Sequence, residues 1–262
     1  MKPSLPAYLE LGQSDTAVFM LHGVGGGKAV WPWQAQALFN EGYRAISWDA
    51  PGYGESASVA PYNMAALADA LSVLIRHIGA RRTVLLGHSM GGMVAQEFLA
   101  RHPEEAHGAL FSGTSPAFGN SGGAFQQAFL DKRIAPLDAG RSMHDLAPEL
   151  LAGMLGPQPY PEGVALATQV MGAVRPETYR AALKAITEFD QRANLEKIRM
   201  PVFCLSGEND RNAAPAVMEK MAARIPGARY LCLPRVGHLA NLEDPTLFNG
   251  ALLTWLKANF PL

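Results

Sequence analysis

The 262-residue sequence is short of cysteine, of charge and of long apolar runs, and each scarcity excludes something. Two cysteines, Cys204 and Cys232, are too few for a disulfide framework and have no metal-ligand spacing. Charged residues make up 17% of the chain, and the 22 Lys+Arg nearly balance the 23 Asp+Glu, for a net charge of −1. Bulk electrostatics therefore favours neither nucleic acid nor an anionic membrane as a partner. The longest stretch without a charged residue, Ala106 to Leu130, is broken by Gly, Ser, Asn and Gln, so it does not supply the ~20 mostly apolar residues of a spanning helix. The first residues, MKPSLPAYLELGQSD, put two prolines and a glutamate where a secretion signal needs an apolar run. The expectation is a reduced, cytoplasmic, soluble protein, with the two cysteines as buried free thiols on neighbouring strands.

What is present is 48% hydrophobic residues, with 26 glycines and 19 prolines, a composition that suits many short elements around a layer covered on both faces. Apolar segments at Thr16–Leu21, Arg44–Trp48, Thr83–Gly87, Gly108–Phe111, Val202–Leu205 and Tyr230–Leu233 read as strands. Most are continuous rather than alternating in hydrophobicity. Between them lie helical patterns, among them Met64–Ile78 closed by Gly79, Pro215–Ile225 and Pro245–Asn259. Alternating strands and helices predict a mostly parallel twisted α/β sheet with helices on both faces. The alternation stops between about 117 and 189, where helical patterns follow one another. Ser142 with Asp145 reads as a helix start and Pro176 as a first-turn proline. The expected organisation is a core of residues 1–117 and 188–262, with residues 118–187 inserted as a helical lid; an oligomerisation arm is the plainer alternative. Insertions at the carboxyl end of a strand lie over the crevice where such sheets bind ligands.

Gly87-His88-Ser89-Met90-Gly91 is a G-x-S-x-G pattern between a strand and a helix. In that context the serine projects from a tight turn with a helix N-terminus behind it. Serine is a weak nucleophile at neutral pH, so it needs a base and an acid to orient that base. His238 follows the last strand on a loop, and Asp210 follows the preceding one, giving the order Ser, Asp, His. Glu208 is the rival acid, but Pro215, five residues beyond Asp210, opens the next helix and favours the aspartate as the last loop residue with freedom to point inward. His22 and His88 also end strands and are expected to support the site by hydrogen bonding. The glycine-rich loop His22-Gly23-Val24-Gly25-Gly26-Gly27 lets backbone N–H groups approach an oxyanion, and the amides of Val24 and Met90 are the candidate donors. A phosphate loop is excluded letter by letter: a Walker sequence needs Gly at 22 and Ser or Thr at 29, where His22 and Ala29 stand, and a dinucleotide loop needs Gly at Lys28.

In order and spacing, LHGVGGG, DAPGYGES, GHSMGG, SGENDRNAAP and GHLANLEDP together resemble the α/β-hydrolase fold superfamily over nearly the whole chain. Within it the chain looks most like small bacterial 3-oxoadipate enol-lactonases and carboxylesterases. The resemblance implies Ser89 as nucleophile, His238 as base, Asp210 as its partner, Val24 and Met90 as oxyanion donors, and no cofactor or metal. It also implies a small ester or lactone as the partner molecule, and the protein itself is expected as a monomer or small homo-oligomer. Carbon–carbon bond hydrolases share the fold and often carry a tryptophan after the catalytic histidine, where this chain has Leu239. A non-enzymatic ligand receptor on the same fold would be marked by a damaged triad, and here all three residues are present. Trp31, Trp33, Phe125, Phe129, Met143, Met154, Tyr160, Met171 and Leu239 are the candidates to line the pocket. A substrate carboxylate would call for a cation from Lys132, Arg133 or Arg175, although solvated surface positions are the expectation for all three.

Overall fold

The structure is a computed structural model that describes residues 4–119 and 123–262; residues 120–122, inside the stretch expected to be inserted, and 1–3 lie outside it. Seven strands form one sheet: β1 (Tyr8–Leu11), β2 (Thr16–Leu21), β3 (Arg44–Trp48), β4 (Arg82–His88), β5 (Gly108–Ser112), β6 (Val202–Gly207) and β7 (Arg229–Leu233). Their spatial order is β1-β3-β2-β4-β5-β6-β7. Only β1 runs antiparallel to its neighbour, with Tyr8 opposite Trp48. Every residue of β2, β5 and β6 is buried, as continuous apolar strands covered on both faces must be.

The helices are α1 (Pro32–Asn40), α2 (Met64–Ile78), α3 (Met90–Arg101), α4 (Ala124–Asp138), α5 (Met143–Ala152), α6 (Pro161–Gly172), α7 (Pro176–Thr187), α8 (Pro215–Arg224), α9 (Ala240–Glu243) and α10 (Pro245–Asn259). Local sequence explains their limits. The Asn63 side chain accepts from Ala66 N at the start of α2, and Gly79 ends that helix at φ 64°. Ser142 and Asp145 form a reciprocal capping box on α5, and α7 opens on Pro176. Four helices, α4 to α7, lie between β5 and β6, with no strand among the described residues there.

Cys204 and Cys232 sit on the adjacent strands β6 and β7, two register positions apart, since Cys204 pairs with Tyr230 and Ser206 with Cys232. Both are free; Cys204 is buried, whereas Cys232, expected to be buried as well, is half-exposed on the edge strand β7. Burial pushes the Cys204 thiol up to about 12, so it stays protonated. No helix among the described residues is long and apolar enough to cross a membrane.

Candidate active site

The loops after β2, β4, β6 and β7 meet at the carboxyl edge of the sheet. Ser89 joins β4 to α3 at φ 53°, a left-handed conformation that costs a non-glycine residue about 1–3 kcal/mol and persists only where its surroundings enforce it. Here the surroundings are close backbone approaches that only glycine allows. A Cβ on Gly91 would lie 2.1 Å from Leu21 O, and one on Gly87 2.6 Å from Gly91 O. The turn is fixed further by Ser89 N donating to Ser112 O (2.9 Å) and by the Thr114 hydroxyl donating to Ser89 O (2.8 Å).

His238 reaches this turn from the loop after β7, with Nε2 3.0 Å from Ser89 Oγ. Its Nδ1 lies 2.8 Å from Asp210 Oδ2. A carboxylate can only accept, so Nδ1 carries the proton and Nε2 offers its lone pair to the serine hydroxyl. Asp210 is 3% exposed and His238 6%. Burial alone would raise the Asp210 carboxyl, but the adjacent His238 ring and the amides of Ala213 and Asn212 outweigh it and hold the group below its ordinary value. Glu208, the rival acid, is exposed and accepts from Arg235 N instead. Gly113, at φ 52°, passes so close that a Cβ would stand 3.2 Å from Asp210 Oδ2.

Val24 and Met90 both line the cleft beside Ser89, and among the described residues neither backbone N–H has an acceptor. The loop carrying Val24 is pinned from three sides. His22 Nδ1 bonds Gly23 O (2.8 Å) while its Nε2 accepts from Ala50 N (3.0 Å), so the ring is neutral, and burial lowers its pKa accordingly. Tyr53 OH donates to Val24 O (2.9 Å). Asp49, nearly buried, accepts from Lys28 N (2.8 Å) and pairs with Lys28 Nζ (2.7 Å), while Lys28 also pairs with Glu55. The segment Asp49–Ser56 thus serves as the brace of the glycine loop. His88, packed against His238 at 4.8 Å between ring centroids, is pushed down to about 3, chiefly by burial and then by the His238 charge, so it stays neutral.

One side chain that the sequence reading missed is Glu243, 2% exposed. Its Oε2 accepts from Gly156 N (2.6 Å) and Gly237 N (2.9 Å), and its Oε1 from Leu239 N (3.0 Å). Two of those amides flank His238. The third belongs to the segment between α5 and α6, which also accepts from His238 N through Met154 O (2.7 Å). Burial raises the Glu243 carboxyl, and the three amides offset this only in part.

Two lobes of a cleft, of about 50 and about 100 Å³, meet at Val24, Ser89, Met154, Met171 and His238. Leu151, Ala167, Leu239 and Leu242 wall the first. Phe118, Phe129, Arg133, Tyr179 and Ile186 wall the second. Phe129, Met154, Met171 and Leu239 thus face the cleft, whereas five other expected lining residues do not. Trp31 is 1% exposed and packed in the core, and Met143 is likewise inside it at 2%. Phe125 is 65% exposed at the start of α4, where it stacks on Phe118, and Trp33 and Tyr160 pair edge-to-face elsewhere. Of the three cations expected at the surface, Lys132 is exposed and Arg175 donates to Gly52 O and Ser56 O, but Arg133 lines the second lobe.

A sequence model of the alpha/beta hydrolase family matches residues 18–251. A thermophilic esterase from Thermogutta terrifontis, solved with malate bound, superposes with a TM-score of 0.87 at 27% identity, covering 96% of this chain and 93% of its own. The 3-oxoadipate enol-lactonase 2 of Acinetobacter baylyi is 24% identical over 254 residues, 95% of this chain and 92% of the relative. A 2-hydroxy-6-oxononadienedioate/2-hydroxy-6-oxononatrienedioate hydrolase from Burkholderia vietnamiensis is 26% identical over 281 residues, 95% of this chain and 90% of the relative.

Proposed function

The chain belongs to the alpha/beta hydrolase family, and on that premise we propose that it is a serine hydrolase of small carboxylic esters or lactones. The observation that carries this reading is the unbroken relay from Asp210 Oδ2 to His238 Nδ1 (2.8 Å) and from His238 Nε2 to Ser89 Oγ (3.0 Å). In the proposed cycle His238 takes the Ser89 proton as Oγ attacks the carbonyl carbon. The amides of Val24 and Met90 stabilise the developing oxyanion, each worth about 10²–10³ in rate. His238 then passes its proton to the leaving oxygen, and the acyl group remains on Ser89. Water, deprotonated by the same ring, releases the acid and restores the hydroxyl. The C–O bond breaks in the first half and the Ser89 ester in the second, with no net change in the enzyme.

Two lobes meeting at Ser89 support this reading, because an ester has an acyl and an alcohol part to accommodate on either side of the serine. The names of the T. terrifontis esterase and the A. baylyi enol-lactonase agree with ester or lactone cleavage, and the placement of α5 and α6 over the first lobe agrees with a lid spanning 118–187.

A fluorophosphonate probe tests the reading. It is expected to label Ser89, located by peptide mass spectrometry, and Ser89→Ala is expected to lower ester turnover by about 10⁴-fold or more. Labelling elsewhere, or undiminished turnover by the variant, would refute the assignment. A panel of esters, lactones and vinylogous diketones run on the wild type then identifies the bond cleaved.

A further inference from the structure

Arg133 is unlike the other arginines of the interposed helices. Arg141 pairs with Glu149, Arg180 with Asp138, and Arg175 bonds backbone carbonyls after β3. Arg133 has no carboxylate within 4.0 Å and no hydrogen-bond acceptor among the described residues. Instead its guanidinium lies 3.8 Å from the centre of the Phe129 ring and contributes to the wall of the second lobe. Among the described residues that line either lobe it is the one arginine or lysine, and there is no acid. A cation half out of water against Phe118, Phe129, Tyr179 and Ile186 forgoes hydration without a protein anion in return. The charge persists, because burial lowers its pKa from a value so high that a guanidinium stays protonated at any working pH. The planar fork is matched in geometry to a carboxylate, and the stacked ring holds that fork in place.

We propose that Arg133 binds a carboxylate on the substrate, so that the preferred esters or lactones carry a free acid on the arm occupying the second lobe. This rests on the ester-hydrolase reading for the reaction, and on the shared cleft of Arg133, Ser89 and Met90 for the specificity. Arg133 acts on binding and does not touch the reacting atoms.

The test pairs each acidic ester with a neutral one. Monomethyl esters of succinic, glutaric and adipic acids are compared with methyl esters of the matching alkanoic acids, and acetyl esters of ω-hydroxy acids with acetyl esters of the matching alcohols. The wild type is expected to favour the acidic member of at least one pair by about 10-fold or more in kcat/KM. Arg133→Gln is expected to erase that ratio through KM, and Arg133→Lys to restore part of it. A structural role alone would weaken both members of a pair equally. A ratio in Arg133→Gln within about twofold of the wild-type ratio, or a wild-type preference for neutral esters, overturns the proposal. A calorimetric titration of monomethyl glutarate and monomethyl adipate into Ser89→Ala and Ser89→Ala/Arg133→Gln separates the two readings. If no ester is turned over, yet affinity falls about 10-fold or more with Arg133→Gln, the carboxylate site stands and the esterase reading fails. If affinity is the same in both backgrounds, the carboxylate site fails whatever the turnover.

Discussion

Replacing Glu243 by alanine would take away the one acceptor that three backbone N–H groups share, those of Gly156, Gly237 and Leu239. A donor left unsatisfied in a buried setting costs about 1–3 kcal/mol. Three of them would approach the upper end of what single substitutions do, less the relief of removing a carboxylate that burial itself disfavours. The expected net loss is about 3–5 kcal/mol, from three unsatisfied amides at about 1–3 kcal/mol each less that relief. Glu243→Gln retains one oxygen as acceptor and turns an NH₂ toward the remaining donors, so about half that loss is expected. Function should respond separately from stability, because two of the three amides flank His238. A loosened His238 misaligns Nε2 against Ser89 Oγ, so kcat on a soluble ester should fall about 10- to 100-fold with KM little changed. Urea unfolding followed by tryptophan fluorescence, beside steady-state turnover at a temperature where the variant remains folded, reads both quantities. An alanine variant within about 1 kcal/mol of wild type and with unchanged kcat would refute the argument.

Two further outcomes follow from charge. His88 is held near 3 in the folded chain against an ordinary 6.5, so the unfolded chain takes up its proton first. Its contribution is fully present above pH 6.5 and is lost as pH falls, about 1.4 kcal/mol per unit, or roughly 3 kcal/mol by pH ~4.5. Urea midpoints of His88→Phe should therefore be flatter than wild type between neutrality and that pH; equal slopes would remove the assignment. The two buried acids act in opposite directions and in different windows: Asp210, held low, loses stabilisation as pH falls below its ordinary 3.8, whereas Glu243, held high, takes up a proton favourably in the folded state as pH falls toward its ordinary 4.5. Asp210→Asn should keep the Asn212 and Ala213 amide bonds yet present an NH₂ to His238 Nδ1. That moves the ring proton to Nε2, and kcat should fall about 10⁴-fold with little loss of stability; a loss below about tenfold would count against the relay.

The elements legible in the sequence are those whose surroundings are uniform. β2, β5 and β6 are wholly buried, so their runs stay apolar end to end, and α2 announces itself through its helical apolar spacing and the closing Gly79. β1 was not legible because Tyr8–Leu11 is a short edge strand with Leu9 and Glu10 exposed. α1 was missed because, inside Pro32–Asn40, only Gln34 and Leu38 are buried, which makes no apolar face. The same reason moved the pocket residues: α4 buries only Gln126 and Leu137 and carries Pro136, so its spacing gave no guide to which of Phe125, Phe129 and Arg133 turns inward. Ser89, Asp210 and His238 stood out as candidates because each lies in a short local pattern at a strand end. Glu243 did not, since its partners come from two segments about eighty residues apart in the chain, and a glutamate before a proline-led helix reads as surface.

The four helices between β5 and β6 are tied to the sheet in two different ways, and that divides the cleft. The α5–α6 segment is locked to the His238 loop. Gly156 N reaches Glu243, Tyr160 N reaches Glu243 O, His238 N reaches Met154 O, and α6 approaches so closely that a Cβ on Gly163 would lie 1.9 Å from Leu242 O. The wall formed by Leu151, Met154, Ala167 and Met171 therefore shares its anchor with His238, so the shape of the first lobe and the alignment of the base cannot be altered separately. The second lobe draws on α4 and α7, where Arg133 and Tyr179 are held by Phe129 and by the Thr178 hydroxyl on Gly52 O, with no bond to Glu243. Sites that share no partner combine additively to within about 0.5 kcal/mol. Arg133→Gln and Glu243→Gln should then contribute independently to kcat/KM for an acidic ester, the first through KM and the second through kcat. A double variant whose loss departs from the sum of the two would show that recognition and alignment are coupled through Met154 and Met171, two of the five lining residues common to both lobes.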